Sequence, residues 1–309
     1  MTTRSSTRPS TIASLRAPTS RAALAVALLA GGVGAAAAAS QAPEPKGKEL
    51  PRGGSSVFPE FRVVAFAGAP QARGLGVLGI GSPKRAAKRL RKRARPYEKA
   101  GNKPVLPAFE LIATIALANP GPGGEYRRRQ SKGTIRRYLR AARRARDLLV
   151  LDIQPGRSTF IEELRRLRGF LRKPEVGIAL DPEWNMGPNG VPGERIGHVG
   201  AGMVNRVSRF MSRIVRKRDL PEKLLVVHQF TQAMIRNDGR LKTPRGVALT
   251  LNSDGFGTPA QKRARYRDLV PRGGSRHPGF KLFFSEDTSL MSPGEVMRLN
   301  PRPEFVVYE

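Results

Sequence analysis

Eight short apolar runs, separated by amphipathic arginine-rich segments, mark the chain from residue 62 to its last residues, and few folds accommodate that alternation. The runs are Arg62 to Phe66, Pro104 to Phe109, Leu148 to Ile153, Val176 to Leu180, Lys223 to Val227, Gly246 to Leu251, Gly279 to Phe284 and Glu304 to Tyr308. Each is short and almost continuously apolar, as strands covered on both faces require. Between them the period changes. From Thr159 to Leu171, Phe160, Ile161, Leu164, Leu167, Phe170 and Leu171 share one helical face, while Glu162, Glu163, Arg165, Arg166 and Arg168 take the other. Met203 to Ile214 repeats the pattern with Met203, Val204, Val207, Phe210, Met211 and Ile214.

Strands alternating with helices build a parallel sheet. Eight of them within residues 58–309 predict an α/β fold, a closed (β/α)8 barrel of the TIM class, which typically needs roughly 250 residues. An open dinucleotide-binding sheet would carry a G-x-G-x-x-G turn after its first strand. Here Gly74-Leu75-Gly76-Val77-Leu78-Gly79 has glycines at another spacing, so that cofactor is not expected, and the stretch reads as a loop with an extra extended piece.

The segment ahead of the barrel reads differently. Residues 1–39 carry Arg4, Arg8, Arg16 and Arg21 with no acid, then the apolar stretch Ala22 to Ala30 and the small residues Ala35 to Ala39, the layout of a signal peptide cleaved near Ala39 or Ala42. The alternative is a membrane anchor, but the apolar stretch falls short of the roughly 20 residues of a spanning helix. Residues 40–57 are rich in Pro, Gly and Ser and read as a flexible tether. The mature chain is thus expected to be secreted, in an extracellular or cell-wall setting.

The absence of cysteine excludes disulfides, thiolate metal sites and a cysteine nucleophile. The net charge of +32 falls only to +28 once the four leader arginines are gone. Lys84 to Arg95 and the arginines Arg127 to Arg129, Arg136, Arg137, Arg140, Arg143 and Arg144 would draw anionic wall polymers or lipid headgroups. The plainer alternative is a solvated outer helix face. No nucleic-acid module is visible, and none of the H-E-x-x-H, Walker or G-x-S-x-G motifs occurs.

In such barrels the chemistry stands at the carboxyl ends of the strands. Reading past each run gives Glu110, then Asp152 and Gln154 with Arg157 nearby, Asp181 and Glu183 with Trp184, His228 and Gln229, Asn252 and Asp254, Glu286 and Asp287, and finally Tyr308. The chain has only 24 acids, yet many cluster here while the helices take the arginines. Residues two apart on a strand point the same way, so Asp152 pairs with Gln154 and Asp181 with Glu183. Crowded carboxyl groups in a walled cleft raise one another's pKa and suit acid or base duty.

The sharpest expectation is glycoside hydrolysis, with Glu183 as proton donor, Glu286 as nucleophile or base, and Trp184 and Tyr308 stacking on sugar rings. Glu110, Asp152, Gln154, Arg157, Asp181, His228, Gln229, Asp254 and Asp287 would then surround a polysaccharide or small ligand. A second reading is a noncatalytic wall-associated binding protein using the same mouth. A third is a metal-dependent hydrolase built on Glu110, Asp152, Asp181 and His228. The acids could also serve only as caps and loop anchors.

Several segments carry a resemblance. Pro107 to Thr114, Val150 to Arg157, Ala179 to Trp184, Val227 to Phe230 and Pro303 to Tyr308 together resemble a family of exported bacterial proteins of unknown function with a glycoside-hydrolase-like barrel. The resemblance spans nearly all of the chain after the tether and implies the barrel, but no established activity. Without a cysteine, the lipid anchor of some such relatives is not available here. Asp181-Pro182-Glu183 is also similar to the tail of the strand-four motif of chitinase-type barrels, although Gly177 and Ala179 replace the further aspartates and no Asn-Glu-Pro signature is present.

Overall fold

The computed structural model describes residues 49–271 and 274–309; the expected signal peptide and the first part of the tether lie outside them. Eight parallel strands form the barrel: β1 (Arg62–Gly68), β2 (Val105–Ala116), β3 (Leu148–Ile153), β4 (Val176–Leu180), β5 (Lys223–Gln229), β6 (Val247–Ser253), β7 (His277–Leu282) and β8 (Phe305–Tyr308). Each pairs with its neighbours in chain order, and β1 pairs with both β2 and β8, which closes the ring. The α/β barrel expected from the eight runs is the fold of this chain.

Among the described residues, six α-helices cover the outside: α1 (Pro83–Ala100), α2 (Lys132–Ala145), α3 (Phe160–Leu171), α4 (Ala201–Arg218), α5 (Pro259–Leu269) and α6 (Pro293–Met297). Their starts follow from local chemistry. Ser82 and Ser131 cap α1 and α2, and capping boxes Thr159/Glu162, Thr258/Gln261 and Ser292/Glu295 open α3, α5 and α6. The basic α1 buries Ala86, Ala87, Leu90, Ala94 and Tyr97, the apolar positions of its repeat. No α-helix links β5 to β6; that connection holds two short 3-10 turns, Gln232–Met234 and Asp238–Arg240, and the two-residue strand Ile235–Arg236 paired with Val199–Gly200, in a stretch broken by Asn237-Asp238-Gly239 and Pro244. Among the described residues no helix is long and apolar enough to cross a membrane.

Strand alternation sorts the side chains into two layers. Val64, Phe66, Phe109, Leu111, Leu149, Leu151, Ile178, Leu180, Leu225 and Leu249 face the helices in the main core. Val63, Ala65, Leu106, Ala108, Leu148, Val150, Ala179, Leu224, Val226, Ala248, Phe305 and Val307 fill the barrel interior. The interior is narrow. A Cβ on Gly279 would come within 2.7 Å of Asn252 Oδ1, so β7 needs glycine at this inward position.

Three local expectations change. Residues 49–57, assigned by composition to the tether, pack instead: Leu50 and Val57 join Phe58 and Phe61 in the inner core and stop its amino end. Glu222 fastens this segment by accepting the Val57 backbone N–H at 2.7 Å. Gly74 to Ile80 forms two 3-10 turns, Arg73–Leu75 and Val77–Gly79, held by one antiparallel bridge between Gly68 and Gly76, rather than a longer extended piece. Strand β2 does not stop near Phe109. It runs on to Ala116 and pairs antiparallel with Arg127–Arg129, whose Arg127 and Arg129 grip a fully buried Glu163. Glu163 therefore belongs to the interior of the β2–α3 contact and not to the solvent face that the α3 periodicity gives it.

Candidate functional site

The inward positions at the carboxyl half of the strands are polar, where the amino half is apolar. Glu110 on β2, Asp152 on β3, Asp181 after β4, His228 on β5, Asn252 on β6 and Lys281 on β7 are all buried; the first five stand an even number of residues from an inner-core position on their own strand, and Lys281 stands two residues from the inward Gly279. Glu110 is a mid-strand residue, because β2 continues past it. Asp254 and Glu309 extend the same inward rows of β6 and β8.

One chain of ion pairs threads this layer. His228 Nδ1 lies 3.2 Å from Asp254 Oδ2, and His228 Nε2 lies 3.1 Å from Glu110 Oε1, close enough to pair but poorly aligned for a directed hydrogen bond. Lys281 Nζ donates to Asp254 Oδ2 at 3.2 Å and forms an ion pair with Glu309 Oε2 at 2.5 Å. The Gly255 backbone N–H completes the Asp254 carboxylate at 2.7 Å. Beside this chain, Gln154 accepts the Ala116 N–H and donates to Asp181 Oδ2 at 3.3 Å. Asp152 Oδ1 and Asp181 Oδ1 receive no hydrogen bond from described residues.

These surroundings separate the acids into two protonation classes. Burial opposes ionisation of Asp254, but the Lys281 ammonium and His228 overcome it and hold the carboxylate well below its usual range. Burial and then the negative charge of Asp254 push the Glu183 carboxyl up to about 7. Asp152 and Asp181 rise well above the ordinary range, first through burial and then through neighbouring carboxyls. Burial alone would depress His228; the Glu110 charge and the contacts to Asp254 and Glu110 raise it well above its ordinary value. Its Nδ1 also lies 3.1 Å from the Asn252 side-chain amide nitrogen. Among the described residues no three His, Asp or Glu side chains form a metal-binding group.

Glu183 sits on the 3-10 turn Pro182–Trp184 directly after β4, partly exposed to the mouth. The turn is pressed into place by Gly197, whose N–H donates to the Glu183 carbonyl at 2.7 Å. Any Cβ on Gly197 would come within 2.7 Å of three carbonyl oxygens of that turn, so only glycine fits. Trp184, on the same turn, is half-buried.

A groove with a cavity volume of about 420 Å³ opens beside this network, lined by Arg73, Ile80, Phe256, Phe283, Phe284, Glu286 and Glu309 among others. Three of the four large exposed hydrophobic residues among those described, Ile80, Phe256 and Phe284, line it. Exposed aromatic faces beside buried polar groups are features that ligand-binding grooves share.

Other expected site residues stand elsewhere. Glu286 is exposed on the groove wall, outside the ion-pair chain. Gln229 points outward and donates to the Leu269 carbonyl at 2.8 Å, and Tyr308 also faces the helices, its hydroxyl 2.5 Å from that of Tyr97, so neither lines the mouth. One position of strand alternation separates them from the inward residues. Asp287 is a loop anchor, taking Lys262 Nζ at 3.0 Å and the Gly257 and Phe283 N–H groups. Arg157 stacks over Tyr126 and donates to the Gly190 carbonyl, fixing loops. Lys281, Glu309, Phe256 and Phe284 were missed. Lys281 had a readable signal, the same strand parity as Gly279, and Phe256 stands alone between Gly255 and Gly257 after β6.

Fold and site together define an α/β barrel of the TIM class with a buried acid–base network at the carboxyl end of its strands. No protein-family model matches the chain, and no curated protein matches it.

Proposed function

We propose that this is an exported, carbohydrate-active barrel protein that hydrolyses a glycosidic bond in a cell-wall or extracellular polysaccharide, with Glu183 as the proton donor. The observation that carries the reading is the split in protonation. A carboxyl that keeps its proton to about pH 7 shares the mouth with the Asp254 carboxylate, held ionised by Lys281 and His228, and opposed environments of this kind assign acid and base roles. Glycosidic cleavage requires such a pair.

Glu309 and Glu286, both on the groove wall, are the candidates for nucleophile or base. Glu309 is favoured, because Lys281 positions it and its charge reaches Glu183. The sugar would stack on Phe256 and Phe284. The resemblance to exported glycoside-hydrolase-like barrels agrees with this reading.

The test is release of reducing ends from purified wall polysaccharide. The wild-type chain should release them, and Phe256→Ala should raise KM about three- to tenfold with little change in kcat, the scale of one lost aromatic contact. Saturable binding without any cleavage would instead select the noncatalytic glycan-binding reading, which needs the exposed aromatic groove but no protonated Glu183.

A further inference from the structure

A second surface, away from the barrel mouth, gathers charge of one sign. Helices α3 and α4 pack side by side. On α4, Arg206, Arg209, Arg213 and Arg216 recur at helical spacing, and Arg165 and Arg168 with the following Arg172 do the same on α3. Each stripe offers a cation about every 5.4 Å.

The two stripes meet across one cleft. Arg168 and Arg172 line one part of it with Arg213, Lys217 and Arg218, and Arg165 lines the adjoining part, which shares Phe210 and Arg213, with Arg206 and Arg209; Arg216 and Arg245 line a neighbouring hollow that no α3 residue enters. The floor of the cleft is apolar, with Phe210, Ile214, Ile161 and Met203. No acid lines it. The acids of α3 are engaged elsewhere, Glu162 in the capping box on Thr159 and Glu163 buried against Arg129.

The equivalent cleft between α1 and α2 is different. It contains Glu98, and its Arg52 and Arg146 are committed to Asp147 and to the Pro51 carbonyl. Unpaired like charges held along a groove create a strong local field for a polyanion and release counterions when one binds.

We infer that the α3–α4 cleft binds a linear phosphate-bearing polymer lacking bases. Single-stranded nucleic acid needs successive aromatic platforms, whereas this floor offers one half-buried ring, Phe210, with Arg213 at 6.0 Å from its centroid. A membrane surface would call for protruding apolar side chains, and here the apolar residues lie recessed beneath the arginines. The inference stands apart from the chemistry at the barrel mouth.

Binding of labelled inorganic polyphosphate to the full chain, followed by fluorescence anisotropy at about 50 and 200 mM salt, tests it. Affinity should fall steeply with salt. Arg168→Glu/Arg209→Glu/Arg213→Glu should weaken binding about tenfold or more, while Lys84→Glu/Lys88→Glu/Lys92→Glu on the exposed face of α1, with the same change in net charge, should weaken it no more than about threefold. Equal losses in the two triple variants would overturn the site in favour of whole-molecule charge. A tenfold preference for oligothymidylate, or cleft-dependent binding to anionic vesicles with none to polyphosphate, would overturn the assigned ligand.

Discussion

Glu183→Gln lowers turnover of a wall glycan by about 10²–10⁴-fold, the contribution of a positioned general acid, while the thermal unfolding midpoint stays at or above the wild-type value. The substitution removes a proton donor and almost nothing else. Burial and Asp254 already keep the Glu183 carboxyl neutral to about pH 7, so a neutral amide suits the same surroundings without an ionic penalty. The backbone of its turn is held by Gly197 and not by the side chain. Kinetics on soluble wall fragments, with KM and kcat separated, check this: the loss should fall on kcat. An unchanged kcat would remove Glu183 from the chemistry.

Lys281→Met destabilises the fold by about 3–5 kcal/mol, because the variant leaves the half-buried Glu309 without its cation and the buried Asp254 with His228 alone. Lys281 Nζ is shared between Asp254 and Glu309, and its side chain is only 9% exposed. Methionine fills similar volume, so little of the effect comes from packing. Urea denaturation at neutral pH measures it, and adding Glu309→Gln to Lys281→Met should restore part of the loss, since one of the stranded charges is then gone. A deficit below about 1 kcal/mol would mean that the pair is solvated and that the network does not hold the mouth together.

The barrel was legible because its strands are covered on both faces and so leave continuous apolar runs that the amphipathic helices between them do not imitate. What the runs could not show were contacts between distant segments. The β2 extension depends on three consecutive arginines, Arg127–Arg129, forming its partner strand, and nothing in that triplet reads as β. Leu50 and Val57 are isolated apolar residues in a Pro- and Gly-rich stretch, and only the open amino end of the barrel gives them a place to pack.

In the site, nearness to a strand end was a weaker guide than strand parity. Glu110, Asp152, Asp181, His228 and Asp254 share the inward face and come together; Gln229 and Tyr308 are one residue out of phase and face the helices. Lys281 fits the inward row but reads as an ordinary residue in a basic chain, so the cation that balances the acids was hidden by composition.

The account depends on a carboxyl that stays protonated near neutrality. Carboxyl carbon-13 NMR of glutamate-labelled protein from about pH 3 to 9, with the Glu183 resonance assigned by its absence in Glu183→Gln, measures that directly. The account predicts titration at about 7; a Glu183 resonance that titrates below about 5, in the range of an ordinary glutamate, would contradict it.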